Sequence, residues 1–81
     1  MSDLTLAALQ TEQLAVVTAL ELDFALRERL AALGLRDGRT LRVVRRIGAS
    51  GPIQVRVDHS DLILRAAEAD RIRVRLEPDP C

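Results

Sequence analysis

The stretch VVRRIGASGPIQVRV, residues 43–57, decides the fold, because a short run of small residues separates two apolar segments that alternate with a period of two. In its second half, Gln54 and Arg56 alternate with apolar residues, as in a strand with one buried face. Those apolar residues are Ile53, Val55 and Val57. The glycines and Pro52 suit a turn and the start of a strand. The stretch therefore predicts a β-hairpin.

The arginines of this hairpin could grip an anionic partner, or they could form the solvated face of a sheet. The run RTLRVVRRI, residues 39–47, extends the alternation toward the amino end. Its apolar side consists of Leu41, Val43 and Ile47, with Val44 and Arg45 as exceptions to the pattern. The predicted outer side of the hairpin carries Arg42, Arg46 and Arg56. This parity favours solvated surface, suited to an acidic protein patch, over a phosphate clamp.

Other segments predict further short elements. LAVVTAL (14–20) predicts a strand buried on both faces, and DLILR (61–65) a shorter apolar strand. RIRVRL (71–76) predicts a final strand with Ile72, Val74 and Leu76 pointing inward. AAEAD (66–70) has room for one helical turn, while LTLAAL (4–9) fits either a short strand or a helical turn.

One longer helix is marked at both ends. Asp23 is an N-cap residue, and Leu26, Leu30 and Leu33 follow it with helical spacing. Gly34 suits the left-handed position after the helix, and Leu35 can then fold back on Leu30. The sequence DFALRERLAALGL therefore predicts a helix that ends in a Schellman motif.

Strands of this length around one real helix predict a mainly β fold, a small closed or nearly closed barrel of about five strands. The helix lies between the first and second long strands, and a helical turn precedes the last strand. We expect one domain over residues 1–77 and a flexible tail over residues 78–81. An apolar fraction of 48% with 30% charged residues is typical of a globular protein.

Charge and targeting signals limit the environment of the protein. The net charge is zero, but residues 36–75 carry ten arginines and five acids, a net charge of +5. No segment has the length of a membrane span, and the amino end lacks the pattern of a secretory signal. The single cysteine, Cys81, can form no intramolecular disulfide. These features predict a cytoplasmic protein.

The chemical groups predict neither an enzyme nor a cofactor. The only histidine, His59, lies with Asp58 and Asp61 in a segment that could hold a divalent ion. These residue types also suit an exposed hairpin turn. In addition, the sequence offers no second cluster that would complete a ligand shell. Nucleic-acid binding remains a weak alternative, since stacking on bases needs aromatic side chains and Phe24 is the only one.

The whole succession resembles the FeoA family, the small cytoplasmic accessory proteins of bacterial ferrous iron uptake. The features that carry the resemblance are Arg29, Leu30, Leu33 and Gly34 at the helix end, Gly38 and Thr40, the Gly51-Pro52-Ile53 strand start, and Leu64, Arg65, Glu68, Ala69, Ile72 and Val74 near the carboxyl end. Two departures concern turns, because the family commonly has glycine where this chain has Glu12 and Gln13, and again near Asp58, His59 and Ser60.

The resemblance implies an SH3-like barrel and a non-enzymatic protein without cofactors. Its implied partner is the cytoplasmic part of the membrane ferrous iron transporter, which has a GTP-binding domain and would recruit the protein to the inner face of the membrane. For docking we predict the helix end and the neighbouring loop, namely Arg29, Leu33, Leu35, Ala49, Ser50, Gly51 and Pro52. Self-association and regulation of an iron-dependent repressor, whose carboxyl-terminal domain can have this fold, stay open as alternatives.

Overall fold

The computed structural model describes residues 4–48 and 50–77. Six strands form one antiparallel sheet in the order β1-β6-β2-β3-β4-β5. The strands are β1 (Leu4–Thr5), β2 (Leu14–Leu20), β3 (Thr40–Arg46), β4 (Ile53–Val57), β5 (Ser60–Leu64) and β6 (Ile72–Leu76). The helices are α1 (Phe24–Ala32), α2 (Ala66–Ala69) and a 3₁₀ turn (Leu6–Ala8). The predicted mainly β class and the positions of both helices are confirmed.

The ambiguous segment at residues 4–9 contains both elements that its sequence allowed. Leu4 and Thr5 pair with β6, and the chain then turns into the 3₁₀ helix. This two-residue strand accounts for the sixth strand of the sheet. The predicted tail over residues 78–81 lies outside the described residues. Within the ranges that the structure describes, no helix has the length and apolar character needed to cross a membrane.

Helix α1 begins and ends where the sequence predicts. The Asp23 carboxylate accepts a hydrogen bond from the Leu26 backbone N–H at 2.9 Å. Gly34 has a φ of +103°, and the Leu35 N–H donates to the Leu30 carbonyl at 2.9 Å. These are the bonds of an N-cap and a Schellman motif, so both ends of the helix follow from local sequence.

The core lies on the alternating apolar side of the strands. Leu41, Val43, Ile53, Val55, Val57, Ile72 and Val74 are all buried, as predicted. Two expected core residues, Ile47 and Leu76, are exposed instead. Leu76 is the last residue of β6, and Ile47 follows β3 beyond a shift in the register of that strand. Strand β2 also differs from the prediction, since Ala15 and Val17 are buried while its other residues are only partly buried. It therefore has one core face instead of two.

Arg46 does not lie on the outer face, in contrast to the sequence prediction. The register of β3 against β4 shifts between Val43 and Arg45, and Arg46 then lies opposite the core residue Ile53. Its half-buried guanidinium donates hydrogen bonds to the carbonyls of Ala7, at 3.0 Å, and Leu9. A bulge reverses the parity of the residues that follow it, which is why strict alternation placed this side chain wrongly.

In each of the two turns that depart from the family pattern, a residue other than glycine adopts the left-handed backbone conformation. Glu12 has a φ of +75° and Asp58 a φ of +58°. The Glu12 N–H donates to the Val43 carbonyl at 2.7 Å, so the turn is held against β3. Both turns therefore place a non-glycine residue in the left-handed region, at the steric cost that a side chain has in this conformation.

The loop between β3 and β4 depends on Gly51. A Cβ atom built on this residue would lie 1.8 Å from the carbonyl oxygen of Ile47, well inside the van der Waals contact distance. The Ile47 N–H also donates to the Pro52 carbonyl at 2.9 Å, which brings the two ends of the loop together. Any larger residue at position 51 would require the loop to change its path.

Candidate functional site: a groove between helix α1 and strand β5

An open groove of about 500 Å³ separates α1 from the edge strand β5. One wall is a single face of α1. This face consists of Leu26, Arg29, Leu30 and Leu33, whose spacing of three and four residues stacks them along one side of a helix. Leu30 is buried against the core, whereas the Leu33 side chain is 46% exposed at the rim.

The other wall is formed by β5 and the start of α2. Four consecutive residues, Asp61–Leu64, line the groove, followed by Arg65 and Glu68. Because successive side chains of a strand point to opposite faces, all four can border the same groove only along the strand's backbone edge. Leu62 and Leu64 point into the core, whereas Ile63 is 66% exposed. The groove thus runs beside the main chain of β5 and has an apolar rim.

Both carboxylates at the groove already have partners within the chain. Asp61 accepts hydrogen bonds from Arg56 at 2.7 and 3.2 Å and from Gln54 at 3.3 Å. The Arg56 hydrogen bond is the main reason that the pKa of the Asp61 carboxyl lies below its usual range. The Glu68 carboxylate accepts from the Arg65 backbone N–H at 3.0 Å, which caps α2.

The two arginines at the groove, Arg29 and Arg65, differ from these carboxylates in their interactions. Among residues 4–48 and 50–77, the ion pairs involve Arg39, Arg42, Arg56 and Arg73, and the guanidinium groups of Arg29 and Arg65 take part in none. Both side chains belong to exposed residues. The groove therefore combines apolar surface with two positive charges that have no ion-pair partner among the described residues.

The outer face of the sheet carries several arginines, and three of them lie near carboxylates. Arg42 and Arg56 lie directly opposite each other on β3 and β4. Arg56 pairs with Asp61, and Arg42 lies 3.9 Å from Glu12. Elsewhere on the sheet, Arg73 pairs with Glu21 at 2.7 Å. These carboxylates fit the interpretation of the hairpin arginines as solvated surface.

The predicted docking residues do not form one surface. Arg29 and Leu33 lie on the groove, but Leu35 is fully buried in the core and cannot contact a partner. Gly34 approaches Val57 at one end of β4, whereas Ser50, Gly51 and Pro52 precede the other end, about 13 Å away at ~3.3 Å per residue. Ala49 lies outside the described residues. The helix end and the loop are thus separate features.

The residues considered for a metal site, Asp58, His59 and Asp61, do not share a ligand position, and both aspartates have arginine partners. Asp58 forms an ion pair with Arg39, and Asp61 forms one with Arg56, while His59 is exposed in the turn. In the described part of the chain, no three His, Cys, Asp or Glu side chains come together as a set that could hold a metal ion. The segment acts as a hairpin turn, with Val57 and Ser60 paired across it.

Sequence reasoning missed Ile63 and did not include Arg65 in the docking surface. A signal for Ile63 was present, since alternation in DLILR places Leu62 and Leu64 inward and leaves an isoleucine on the outer side. Exposed apolar residues that lie together, as Ile63 and Leu33 do at this groove, are a feature of contact surfaces. Nothing in the local sequence indicates that α1 lies beside this strand.

The family comparison identifies the whole folded region. The model of the FeoA domain matches residues 4–76. No curated protein matches the chain significantly. The solution structure of the FeoA protein from Chlorobium tepidum is 34% identical, with a TM-score of 0.85, and the match covers 90% of this chain and 70% of that one.

Two further structures show how widely the fold occurs. The FeoA of Stenotrophomonas maltophilia, solved with zinc and described as a prokaryotic SH3 domain protein, is 32% identical over 89% of both chains, with a TM-score of 0.75. A manganese-dependent transcriptional repressor is 23% identical over 95% of this chain and 38% of its own, with a TM-score of 0.82. At that identity the repressor shows a shared fold.

Proposed function

Because the chain belongs to the FeoA family, we propose that it is a non-enzymatic cytoplasmic accessory protein of bacterial ferrous iron uptake. Its partner is the cytoplasmic part of the membrane iron transporter that contains the GTP-binding domain. Docking there stabilises or regulates the transporter, and the small protein carries out no chemistry itself. The Stenotrophomonas maltophilia relative, suggested to act as a ferrous iron transport activating factor, supports this role.

The observation that carries the proposal is the groove between α1 and β5. Its exposed apolar residues, Leu33 and Ile63, would be buried by a partner, and burial contributes roughly 25 cal/mol per Å² of apolar surface. Arg29 and Arg65 add charges that an acidic partner can neutralise. The carboxylates that could oppose such a partner are held by Arg56 and by the cap of α2.

Binding of the purified chain to the transporter's cytoplasmic portion tests this role. Isothermal titration should detect a complex, and repeating it without nucleotide, with GDP and with a non-hydrolysable GTP analogue shows whether nucleotide state matters. Leu33→Glu should weaken binding by at least about tenfold, because it places a carboxylate in the apolar rim. Absence of binding in every nucleotide state would refute the proposed role.

Phe24→Glu is the matched control for that substitution. Phe24 is 70% exposed at the start of the same helix but does not line the groove. The substitution introduces the same charge on the same element, so the affinity should stay within about threefold of the unmodified chain. Equal losses for both variants would indicate that the groove is not the docking surface.

A further inference from the structure

Strand β5 is an edge of the sheet, and its central outward residue is not of a type that usually protects an edge. Among the strands of the described residues, β4 is its only neighbour. Natural edge strands are commonly blocked by proline, by charges or by a covering element. At the centre of β5 the outward residue is instead the exposed Ile63, and an open groove separates the strand from α1. This edge is therefore accessible to another extended chain.

The register of β5 shows which backbone groups face the groove. Val57 pairs with Ser60 across the two-residue turn, and in such hairpins the residues that flank the turn form the hydrogen-bonded pair. Bonded and non-bonded pairs alternate along antiparallel strands. The backbone N–H and C=O groups of Asp61 and Ile63 therefore point away from β4. Outside the sheet ladder, none of the backbone hydrogen bonds found in the described residues involves residues 61–64.

The positive charges beside this edge favour an acidic binding partner. Arg29 on α1 and Arg65 after β5 lie on opposite walls, and neither forms an ion pair within the described residues. Asp61, the acid on the strand itself, is neutralised by Arg56. An incoming segment with carboxylates toward these arginines and apolar side chains toward Leu33 and Ile63 would complement both features.

We propose that the groove receives an extended acidic segment of a partner protein, which adds a strand to β5. The backbone groups of Asp61 and Ile63 supply the hydrogen bonds, apolar residues of the segment cover Leu33 and Ile63, and its carboxylates meet Arg29 and Arg65. This mode is β-augmentation, in which main-chain bonds provide affinity and alternate side chains provide specificity. The inference rests on the proposed function for the partner's identity, because the segment would belong to the transporter.

Short peptides provide a direct test. The probe is a peptide of alternating valine and glutamate with blocked ends, and its counterpart has lysine in place of glutamate. In NMR titrations of the full chain, the glutamate peptide should shift the Asp61 and Ile63 amide signals most and slow their hydrogen exchange. The lysine peptide should bind at least about tenfold more weakly. Equal binding of both peptides, or shifts confined to other strands, would overturn the proposal.

Ile63→Pro isolates the backbone contribution. It removes the outward N–H without removing a bond to β4, so the sheet can persist with proline at an edge. We expect at least about tenfold loss of peptide affinity, the equivalent of about one hydrogen bond. Ile63→Thr keeps the N–H and loses only part of the apolar contact, so it should bind at least about threefold more tightly than Ile63→Pro. Equal affinities of the two variants would contradict strand addition.

The backbone contribution can also be tested by changing the peptide, so that the result does not depend on the folding of a protein variant. Methylating the amide nitrogens on one edge of the peptide removes the donors on that edge only, since successive N–H groups of an extended chain point to opposite sides. One of the two edge-methylated peptides should lose at least about tenfold in affinity and the other should not. Retained binding by both would exclude β-augmentation.

Binding experiments with the transporter's cytoplasmic portion distinguish this inference from the proposed function. If it binds the chain but neither competes with the glutamate peptide nor responds to Ile63→Pro, the edge inference fails and the accessory role survives. If it does not bind while the peptide adds to β5, the accessory role fails and the edge inference survives with another partner. Protection of the Asp61 and Ile63 amides by self-association, detected by sedimentation without peptide, would also overturn the inference.

Discussion

The sheet and the groove beside α1 both contain arginines, but these arginines have different partners. On the sheet, Arg56 and Arg73 each have a carboxylate within 2.7 Å, and Arg46 is bound to two backbone carbonyls. At the groove, Arg29 and Arg65 form no ion pair within the described chain. The difference shows that internal partners, more than the number of basic residues, determine where a basic surface can bind.

The largest expected effect concerns Arg46 on the sheet side. Arg46→Ala removes the hydrogen bonds to Ala7 and Leu9, which join β3 to the 3₁₀ segment. Because a charged donor is lost and its carbonyl acceptors are partly buried, unfolding free energy should fall by roughly 2 kcal/mol in urea denaturation. The neighbouring Arg45→Ala removes only a bond to Gln54 at 3.2 Å and should change stability by less than about 0.5 kcal/mol.

Similar losses for both arginine variants would show that the carbonyl contacts of Arg46 do not stabilise the fold. Both variants should bind the glutamate peptide as the unmodified chain does, since neither residue lines the groove. That result would separate the arginines that stabilise the sheet from those available to a partner.

The groove arginines should show the converse behaviour. In Arg29→Glu/Arg65→Glu, each site loses an attraction and gains a repulsion, so affinity for the glutamate peptide should fall by at least about tenfold. Thermal stability should change little, because neither guanidinium has an internal ion pair to lose. Arg75→Glu, an exposed arginine on β6, provides the control for altered net charge and should retain affinity. Equal losses would indicate a long-range charge effect without a specific site.

A smaller effect is expected at the turn before β2. Glu12 adopts a φ of +75°, and its contact with Arg42 is long at 3.9 Å. Glu12→Gly relieves the strain of the side chain and should raise the unfolding free energy by about 1 kcal/mol. Thr11→Gly, at a neighbouring position without a positive φ, should lower it instead because glycine loses more entropy on folding. Chemical denaturation of both variants measures the contrast.

The smallest expected effect is pH-dependent and concerns the boundary between the two regions. The Arg56 hydrogen bond lowers the pKa of Asp61, while the pKa of Arg56 is raised, chiefly by the same bond. A depressed carboxyl pKa adds stability above the value in the unfolded chain, about 3.9, and this stability is lost as pH falls through the folded value. The difference in stability between the unmodified chain and Asp61→Asn should therefore be present at pH 7 and shrink below about pH 4.

Urea denaturation over a pH series measures this effect. In an Arg56→Gln background, Asp61→Asn should no longer produce a pH-dependent difference, because the partner that lowers the pKa is absent. Persistence of the difference would mean that another group determines the titration of Asp61.

Local sequence was sufficient for much of the fold. The Asp23 cap, the Gly34 ending and the strict alternation in β4 each depend on interactions within a few residues, and each appears in the structure as predicted. Ile47 and Arg46 were placed wrongly because the bulge in β3 is a property of its pairing with β4. The departures of Val44 and Arg45 from the alternation were its only trace in the sequence.

The docking surface depended much more on tertiary structure. Arg29 and Leu33 were predicted from the helix end and do line the groove, but Leu35 follows the helix ending into the core. The opposite wall comes from β5 (Ser60–Leu64), which lies well beyond α1 (Phe24–Ala32) in the chain. No pattern within α1 could indicate which strand would lie beside it.

The sequence by itself determined the elements, their caps and turns, and the family, because these depend on local conformation and on the order of residues. Only the tertiary structure decided which arginines are held by carboxylates or carbonyls and which remain open to a partner. It also decided that β5 is an edge with the exposed Ile63 beside α1. Ion pairing and edge exposure depend on distances between residues that are far apart in the chain, and local periodicity does not encode those distances.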